Sequence, residues 1–133
     1  MINGLNHITL AVSDLNKSFE FYVEVLGFKP HAKWTKGAYL SAGSLWFCLS
    51  RDDEVQSRKD YTHIAFDIGE QGFSILKNRF IDMKIRQWKV NTSEGSSLYI
   101  LDPDGHKLEI HVGCLQSRLH TLKENPYPGL VLY

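Results

Sequence analysis

The sequence has little that would attach the protein to a membrane, a nucleic acid or a disulfide framework. Its 15 basic and 15 acidic residues cancel, so it lacks the basic excess of nucleic-acid-binding proteins. No apolar run approaches the roughly 20 residues of a membrane-spanning helix, and residues 1–4 do not resemble the start of a signal peptide. The two cysteines, Cys48 and Cys114, have no metal-ligand spacing and are interpreted as reduced thiols. We therefore expect a neutral cytoplasmic protein without nucleic-acid or membrane partners.

What the sequence does have is a pattern that occurs twice. Residues 5–12 (LNHITLAV) predict a strand that leads into a helix, and residues 61–68 (YTHIAFDI) begin the same order of elements again. His7 and His63 occupy the same place in the two copies, 56 positions apart. An internal repeat of this kind sets the architecture, because each copy is one supersecondary unit.

Each copy predicts one strand, one helix and three further strands, a βαβββ unit. In the first copy Asp14 is a suitable N-cap and Gly27 a suitable end for the helix. In the second copy the segment 102–105 (DPDG) supplies the turn between the last two strands. The strands that follow the helices are predicted at 32–34, 38–41, 44–50, 85–89, 97–101 and 107–112.

The chain is expected to form a single α+β domain over residues 1–133, in which the two units make a cupped mixed sheet. We place the first repeat at about 1–51, a linker at about 52–59 and the second repeat at about 60–113. A C-terminal helix and tail follow at 114–133. The polar segment 90–96 has no counterpart in the first copy, and it is either a functional loop or solvated chain.

The concave face of such a sheet is a natural pocket, and His7 and His63 are predicted to face it. A buried polar group without a partner costs about 1–3 kcal/mol, so histidines on an inward face need a hydrogen bond or a metal. Glu109 and His111 share one face of the last strand, and their spacing does not show which would be the third ligand. Two histidines and one carboxylate suit zinc, iron or manganese. His31, His106 and His120 are interpreted as solvated.

Several donors surround the polar segment and suit an anionic, phosphate-like ligand, although each one is also compatible with a solvated loop. These donors are Lys89, Asn91, Ser93, Ser97, Tyr99 and Arg118. Aromatic residues at 34, 39 and 46 lie on first-copy strands, where core packing is the alternative to ligand contact.

Segments 4–12, 45–50, 60–63 and 101–109 closely resemble the fosfomycin-resistance glutathione transferases of the vicinal-oxygen-chelate superfamily, which also contains glyoxalase I. The resemblance extends from Gly4 to about Tyr127. It implies a glyoxalase-like fold, a domain-swapped homodimer, and an enzyme that inactivates fosfomycin by adding glutathione to its epoxide.

The resemblance also implies roles for individual residues. Mn²⁺ would be bound by His7 of one subunit and by His63 and Glu109 of the other, and K⁺ would act as an activator. Thr9 and Tyr39 would be catalytic, with Tyr39 helping to ionise the thiol. Fosfomycin would be held by Thr9, Lys89, Ser93, Ser97, Tyr99 and Arg118; potassium by Asn91, Ser93, Gly95 and Ser97; and the thiol by Trp34, Tyr39, Trp46, Cys48 and Ser50. Lys36 and Thr92 depart from the pattern on the thiol and loop side.

Two other functions compete with this one. A fosfomycin epoxide hydrolase of the same superfamily would need a carboxylate base near the metal, and residues 39–46 contain none. A non-catalytic drug-binding protein of the same fold would need neither the metal ligands nor the donor-rich segment. In the first copy Phe47 is expected at about the place of Glu109, which would leave one side of the metal open.

Overall fold

The computed structural model describes residues 1–133 and divides the chain into two halves of the same design. The first half contains β1 (His7–Val12), α1 (Leu15–Glu20) continued by a π-helical turn (Phe21–Val25), β2 (Lys29–Trp34), β3 (Gly37–Ala42) and β4 (Leu45–Arg51). The second contains β5 (Ile64–Asp67), α2 (Glu70–Asp82), β6 (Gln87–Lys89), β7 (Ser96–Leu101) and β8 (Lys107–Val112), and α3 (Leu115–Glu124) follows it.

Each half forms its own four-stranded mixed sheet, with the same strand order in both. The orders are β1-β4-β3-β2 and β5-β8-β7-β6. In each sheet the pair at the start of the order is parallel and the other pairs are antiparallel. The predicted α+β fold of two βαβββ repeats is confirmed. Within one chain the eight strands make two separate sheets, so β1 and β5 each keep one unpaired edge.

Local signals in the first half explain where its helix begins and ends. The Asp14 carboxylate accepts a hydrogen bond from the backbone N–H of Lys17 at 3.1 Å, which satisfies one of the free donors of the first turn. Gly27 adopts a left-handed conformation with φ 78°, which costs glycine nothing. The chain can therefore turn directly from the helix into β2.

A continuous apolar core joins the two halves. Phe66 of β5 lies against Phe28 and Phe47, with ring centroids 5.2 and 5.9 Å apart. The fully buried side chains include Val12, Leu40, Leu49, Ile100 and Leu108. Because these residues come from both sheets, burial of apolar surface holds the halves together although no strand pairs across them.

The turn between β7 and β8 connects the second half to the first by hydrogen bonds of the buried Asp102 carboxylate. Asp102 is 0% exposed and accepts hydrogen bonds from the Tyr22 hydroxyl at 2.7 Å and from the backbone N–H of His106 at 2.8 Å. Asp104 accepts from the backbone N–H of Ser13 at 3.1 Å. His106 was expected to be solvated, and this is wrong: its Nε2 donates to the Ala11 carbonyl at 2.7 Å.

The C-terminal helix lies at the surface of the molecule. None of its residues is buried, and Leu115 is exposed. No helix of the chain has both the length and the apolar composition needed to cross a bilayer.

We predict that Tyr22→Phe lowers the free energy of unfolding by about 1–3 kcal/mol, because it leaves the buried Asp102 carboxylate without one donor. Burial, and then the nearby Asp102 charge, raises the pKa of Tyr22 well above the ordinary value. A raised pKa in the folded state means that this stabilisation is complete below the pKa of the unfolded phenol, about 10, and is lost as the pH rises above it. Urea unfolding measures the free energy of unfolding of wild type and of Tyr22→Phe. The difference between these two free energies should be constant at neutral pH and shrink above about pH 10.

The matched control is Tyr127→Phe, which removes a hydroxyl from an exposed tyrosine. An equal loss of stability in both variants at pH 7 would contradict a specific role for the Tyr22–Asp102 hydrogen bond.

Candidate active site

His63 and Glu109 form the centre of the polar cluster on the second sheet. His63 precedes β5 and Glu109 lies in β8, where it is opposite Ala65 of β5. The His63 Nε2 and a Glu109 carboxylate oxygen are 3.0 Å apart, with side chains only 18% and 10% exposed. Two ligand atoms about 2.1 Å from one ion, at a right angle to each other, also lie about 3.0 Å apart. The pair therefore fits two adjacent positions of one divalent metal.

The orientation of the two histidines is fixed in the same way. The Nδ1–H of His63 donates to the Tyr61 carbonyl at 2.7 Å, and the Nδ1–H of His7 donates to the Asn6 side-chain oxygen at 2.7 Å. A carbonyl oxygen can only accept, so the proton sits on Nδ1 in each ring. Each Nε2 then presents its lone pair, which is the tautomer that a metal needs.

His111 acts on Glu109 through Ser97. The Ser97 hydroxyl lies 2.5 Å from the Glu109 carboxylate and 2.7 Å from Nδ1 of His111, so it can donate to the first and accept from the second. Burial alone would raise the pKa of Glu109. The hydrogen bond from Ser97 and the adjacent His63 and His111 rings outweigh burial, so the pKa of Glu109 is lowered. Glu109 therefore remains an ionised carboxylate that faces His63, whereas His111 supports it from the other side.

His7 does not join this pair within one chain. No group of three or more histidine, cysteine, aspartate or glutamate side chains is close enough to hold a metal. His7 instead lies exposed on β1 of the first sheet, where its ring packs against Trp46 with centroids 4.6 Å apart. One chain thus provides a two-ligand site and, on the other sheet, one similarly oriented histidine.

The residues expected to bind the thiol share one open face of the first sheet. The strand register places His7, Trp46 and Ser41 in one row across β1, β4 and β3, and Thr9, Cys48 and Tyr39 in the next row. A hollow of about 320 Å³ lies on this face. Its lining is His7, Thr9, Trp34, Lys36, Tyr39, Trp46, Cys48, Leu49 and Ser50.

The same register corrects one expectation about the repeat. Thr9 pairs with Cys48, as Ala65 pairs with Glu109, and His7 and His63 each lie two residues before these positions. Cys48 therefore occupies the place of Glu109 in the first half. Phe47, which was expected there, points into the core and is 0% exposed.

Lys89 and Tyr99 provide the donors of the second sheet. Glu109, Tyr99 and Lys89 form one row across β8, β7 and β6. The Lys89 ammonium lies 2.6 Å from the Tyr61 hydroxyl and 4.8 Å from the centre of the Tyr99 ring. The hydrogen bond with Tyr61 raises the pKa of Lys89. A charged ammonium beside the Glu109–His63 pair suits an anionic ligand.

The predicted ion-binding loop is ordered by its own hydrogen bonds. The Asn91 side chain accepts from the Ser93 N–H at 3.0 Å and donates to the Gly95 carbonyl at 2.8 Å. Arg118 reaches the loop from α3, with its guanidinium 3.4 Å from the Glu94 carboxylate. Arg118 therefore contacts the loop at Glu94 and does not reach the His63–Glu109 pair of this chain.

Three contributors to the site were not identified from the sequence. Asn6 and Tyr61 orient the two histidines, and Trp88 packs on His63 with ring centroids 5.4 Å apart. Asn6 and Tyr61 could have been found from their positions in the sequence. Asn6 directly precedes His7, and Tyr61 lies two residues before His63. The half-buried Trp88 ring also donates to the Leu108 carbonyl at 3.0 Å.

Comparison with known proteins places this geometry in a family. The model of the Glyoxalase/Bleomycin resistance protein/Dioxygenase superfamily matches residues 4–110. Glutathione transferase FosA of Serratia marcescens is 52% identical over 98% of this chain and 96% of its own length. Metallothiol transferase FosB of Staphylococcus saprophyticus is 38% identical over 93% of this chain and 86% of its own length.

Solved structures give the same grouping. The fosfomycin resistance protein FosX of Listeria monocytogenes, complexed with Mn(II) and sulfate, aligns with a TM-score of 0.81 and 33% identity over 91% of this chain and 98% of its own. A mutant of that protein, complexed with Mn(II) and 1S,2S-dihydroxypropylphosphonic acid, aligns with a TM-score of 0.79 and 31% identity over 90% of this chain and 99% of its own.

We predict that His63→Ala weakens the binding of Mn²⁺ at least about tenfold, because it removes one of two ligands that the chain places together. Titration with Mn²⁺, followed by the electron paramagnetic resonance signal of the free ion, measures this directly. His120→Ala is the control, since that histidine is exposed on α3. Unchanged affinity in His63→Ala would exclude His63 as a ligand.

Proposed function

The chain belongs to the glyoxalase/bleomycin resistance protein/dioxygenase superfamily, and we propose that it is a metal-dependent transferase that inactivates fosfomycin by adding glutathione to its epoxide. The observation that carries the proposal is the His63–Glu109 pair, in a chain 52% identical to a glutathione transferase. A divalent metal belongs to this chemistry, and we propose Mn²⁺, the ion present in two of the FosX structures.

The metal would be held by His63 and Glu109 of one subunit and by His7 of its partner. A bound divalent ion supplies Lewis-acid polarisation of the epoxide oxygen. Two observations support the shared site. The strands β1 and β5 have unpaired edges, and His7 at the start of β1 and His63 just before β5 both have Nδ1 held by a carbonyl oxygen. An unpaired strand edge is a template for pairing with another chain. We therefore propose a homodimer in which β1 of one copy lies beside β5 of the other.

The phosphonate of fosfomycin is proposed to bind the donors of the second sheet. Lys89 supplies the charge and Tyr99 and Ser97 lie in or beside its row, so that a dianion could be held next to Glu109. Arg118 and Ser93 would contribute once the dimer is formed. We further propose that K⁺ binds the loop through Asn91, Ser93, Gly95 and Ser97, because carbonyl and hydroxyl oxygens are the ligands of hard cations.

The hollow of the first sheet is proposed to take the thiol. The thiolate is the reactive form, and the Tyr39 hydroxyl would stabilise it by a hydrogen bond. The sulfur then forms a bond to an epoxide carbon while the ring C–O bond breaks, and the electron pair moves to the oxygen. The Thr9 hydroxyl would donate to that oxygen, which finally takes up a proton. We place the reaction in the cytoplasm, where glutathione keeps thiols reduced.

The two competing functions have less support. A hydrolase needs a carboxylate base that activates water, and β1, β2, β3 and β4 contain no aspartate or glutamate. Glu109 would be occupied as a ligand. A drug-binding protein would not require the matching orientation of His7 and His63.

We predict that fosfomycin is consumed by the Mn²⁺-loaded protein only when a thiol is present, and most efficiently with glutathione. Loss of fosfomycin and formation of the adduct, followed by ³¹P NMR, measure this with glutathione, with 2-mercaptoethanol and without a thiol. Consumption without any thiol would favour the hydrolase and overturn the transferase assignment.

We predict that His7→Ala and His63→Ala are each inactive but folded, and that mixing them restores activity. In a swapped dimer the mixed species has one site with both substitutions and one intact site. After unfolding and refolding an equal mixture, about a quarter of the wild-type activity is expected, because half of the dimers are mixed and half of their sites are intact. Circular dichroism of each variant controls for folding.

A mixture of His7→Ala with His7→Ala/His63→Ala is the matched control, since no combination of these chains makes an intact site. Recovery of activity in that control would contradict a site shared between subunits. So would the absence of recovered activity in the mixture of His7→Ala with His63→Ala.

A further inference from the structure

A second hollow lies beside the first, on the outer side of Tyr39 and Trp46. It has a volume of about 300 Å³ and is lined by His31, Tyr39, Leu40, Ser41, Ser44 and Trp46. We propose that this hollow binds one carboxylate end of glutathione through His31 and Ser41, and that His31 thereby determines thiol specificity. The inference rests on the proposed function, because it assigns a binding site for the thiol substrate.

A β-bulge places His31 at this position. Pro30 pairs with Leu40 and Ala32 pairs with Tyr39, so His31 is an extra residue between two consecutive pairs of β2 and β3. A bulge redirects a side chain and is frequent next to active sites. The His31 ring reaches Ser41, with 2.8 Å between Nε2 and the hydroxyl oxygen. It therefore lies on the same open face as Tyr39 and Trp46.

The two hollows share Tyr39 and Trp46 as a common wall. These rings are 5.2 Å apart and nearly perpendicular, at 85°. The first hollow has Lys36 and Ser50 at its far side, whereas the second has His31 and Ser41. Polar side chains thus lie on both sides of the Tyr39–Trp46 pair, and Tyr39 carries the hydroxyl proposed to activate the thiol.

Glutathione has the matching arrangement of groups. Its thiol is on the middle residue, and each end of the tripeptide carries a carboxylate. With the sulfur beside Tyr39, one end would lie in the hollow with Lys36 and the other in the hollow with His31, while the amide planes pack on Tyr39 and Trp46.

The distances agree with this placement. His7, Trp46 and Ser41 form one row, and His31 is one strand further, so three strand spacings separate His31 from the metal histidine. Three spacings amount to about 14 Å. An extended chain of three residues spans about 10 Å, so about half of it would reach from His31 to the sulfur beside Tyr39. The rest of the distance to His7 is left for the antibiotic and the metal.

The charge of this region favours a carboxylate. β2, β3 and β4 contain no acidic residue. Lys29 is directly opposite Ser41 in the pairing of β2 with β3. A carboxylate at His31 and Ser41 would thus meet hydrogen-bond donors and the positive charge of Lys29, with no acidic residue on these three strands to oppose it.

The test compares His31→Ala and Ser41→Ala with wild type in steady-state kinetics with two thiols. For glutathione we expect KM to rise about three- to fivefold in each variant, the size of one solvated charge-assisted contact. We expect kcat to stay within about twofold, because the contact is the same in the ground state and the transition state. With 2-mercaptoethanol, which has no carboxylate, KM should not change. His120→Ala is the control.

A binding measurement separates the subsite from catalysis. S-methylglutathione cannot react, and its binding to the Mn²⁺-loaded protein is followed by tryptophan fluorescence. Weaker binding to His31→Ala and partial recovery in His31→Gln would support the subsite. Equal affinity of wild type and His31→Ala, or equal loss with both thiols, would overturn it. Wild type that consumes fosfomycin without thiol would instead show that the proposed function itself is wrong.

Discussion

The hydrogen bonds of the buried Asp102 carboxylate determine how the two halves of the chain are arranged. Asp102 lies in the turn before β8, and its partner Tyr22 lies in the helical segment of the first half. Together with Phe66, which packs against Phe28 and Phe47 of the first half, this contact joins the halves through their core sides. The polar faces of both sheets remain open, and the edges of β1 and β5 remain unpaired. The distribution of ligands between two sheets follows from that arrangement.

The chemistry of the site depends on groups that orient the ligands as much as on the ligands. Backbone and amide oxygens hold Nδ1 of His63 and His7, while Ser97 and His111 hold the Glu109 carboxylate from behind. Because each imidazole is already committed at one nitrogen, only the other is available to an ion. This preorganisation means that little reordering of the ligand side chains is required when the metal binds.

Much of the fold was predictable because its signals are local. The repeat of alternating strands, the Asp14 cap, the Gly27 end and the turn at 102–105 depend on nearest neighbours along the chain, and the structure agrees with them. The candidate ligands were also recognisable, since His7 and His63 share a place in the repeat. Their roles remain predictions.

The errors of prediction concern residue pairings that the local sequence pattern does not encode. The register assigns Cys48 rather than Phe47 to the place of Glu109. His106 was misassigned because its partner, Ala11, is far away in sequence.

The unpaired edges of β1 and β5 have a consequence for the cell that carries the protein. A centre divided between two copies obeys mass action, so its occupancy depends on the concentration of chains as well as on the amount of metal. At low expression the chains would be folded yet unable to complete the site. Small increases in expression near the dissociation constant of the dimer would then raise the number of complete centres more than proportionally. Resistance conferred by such a protein would have a threshold in gene dosage.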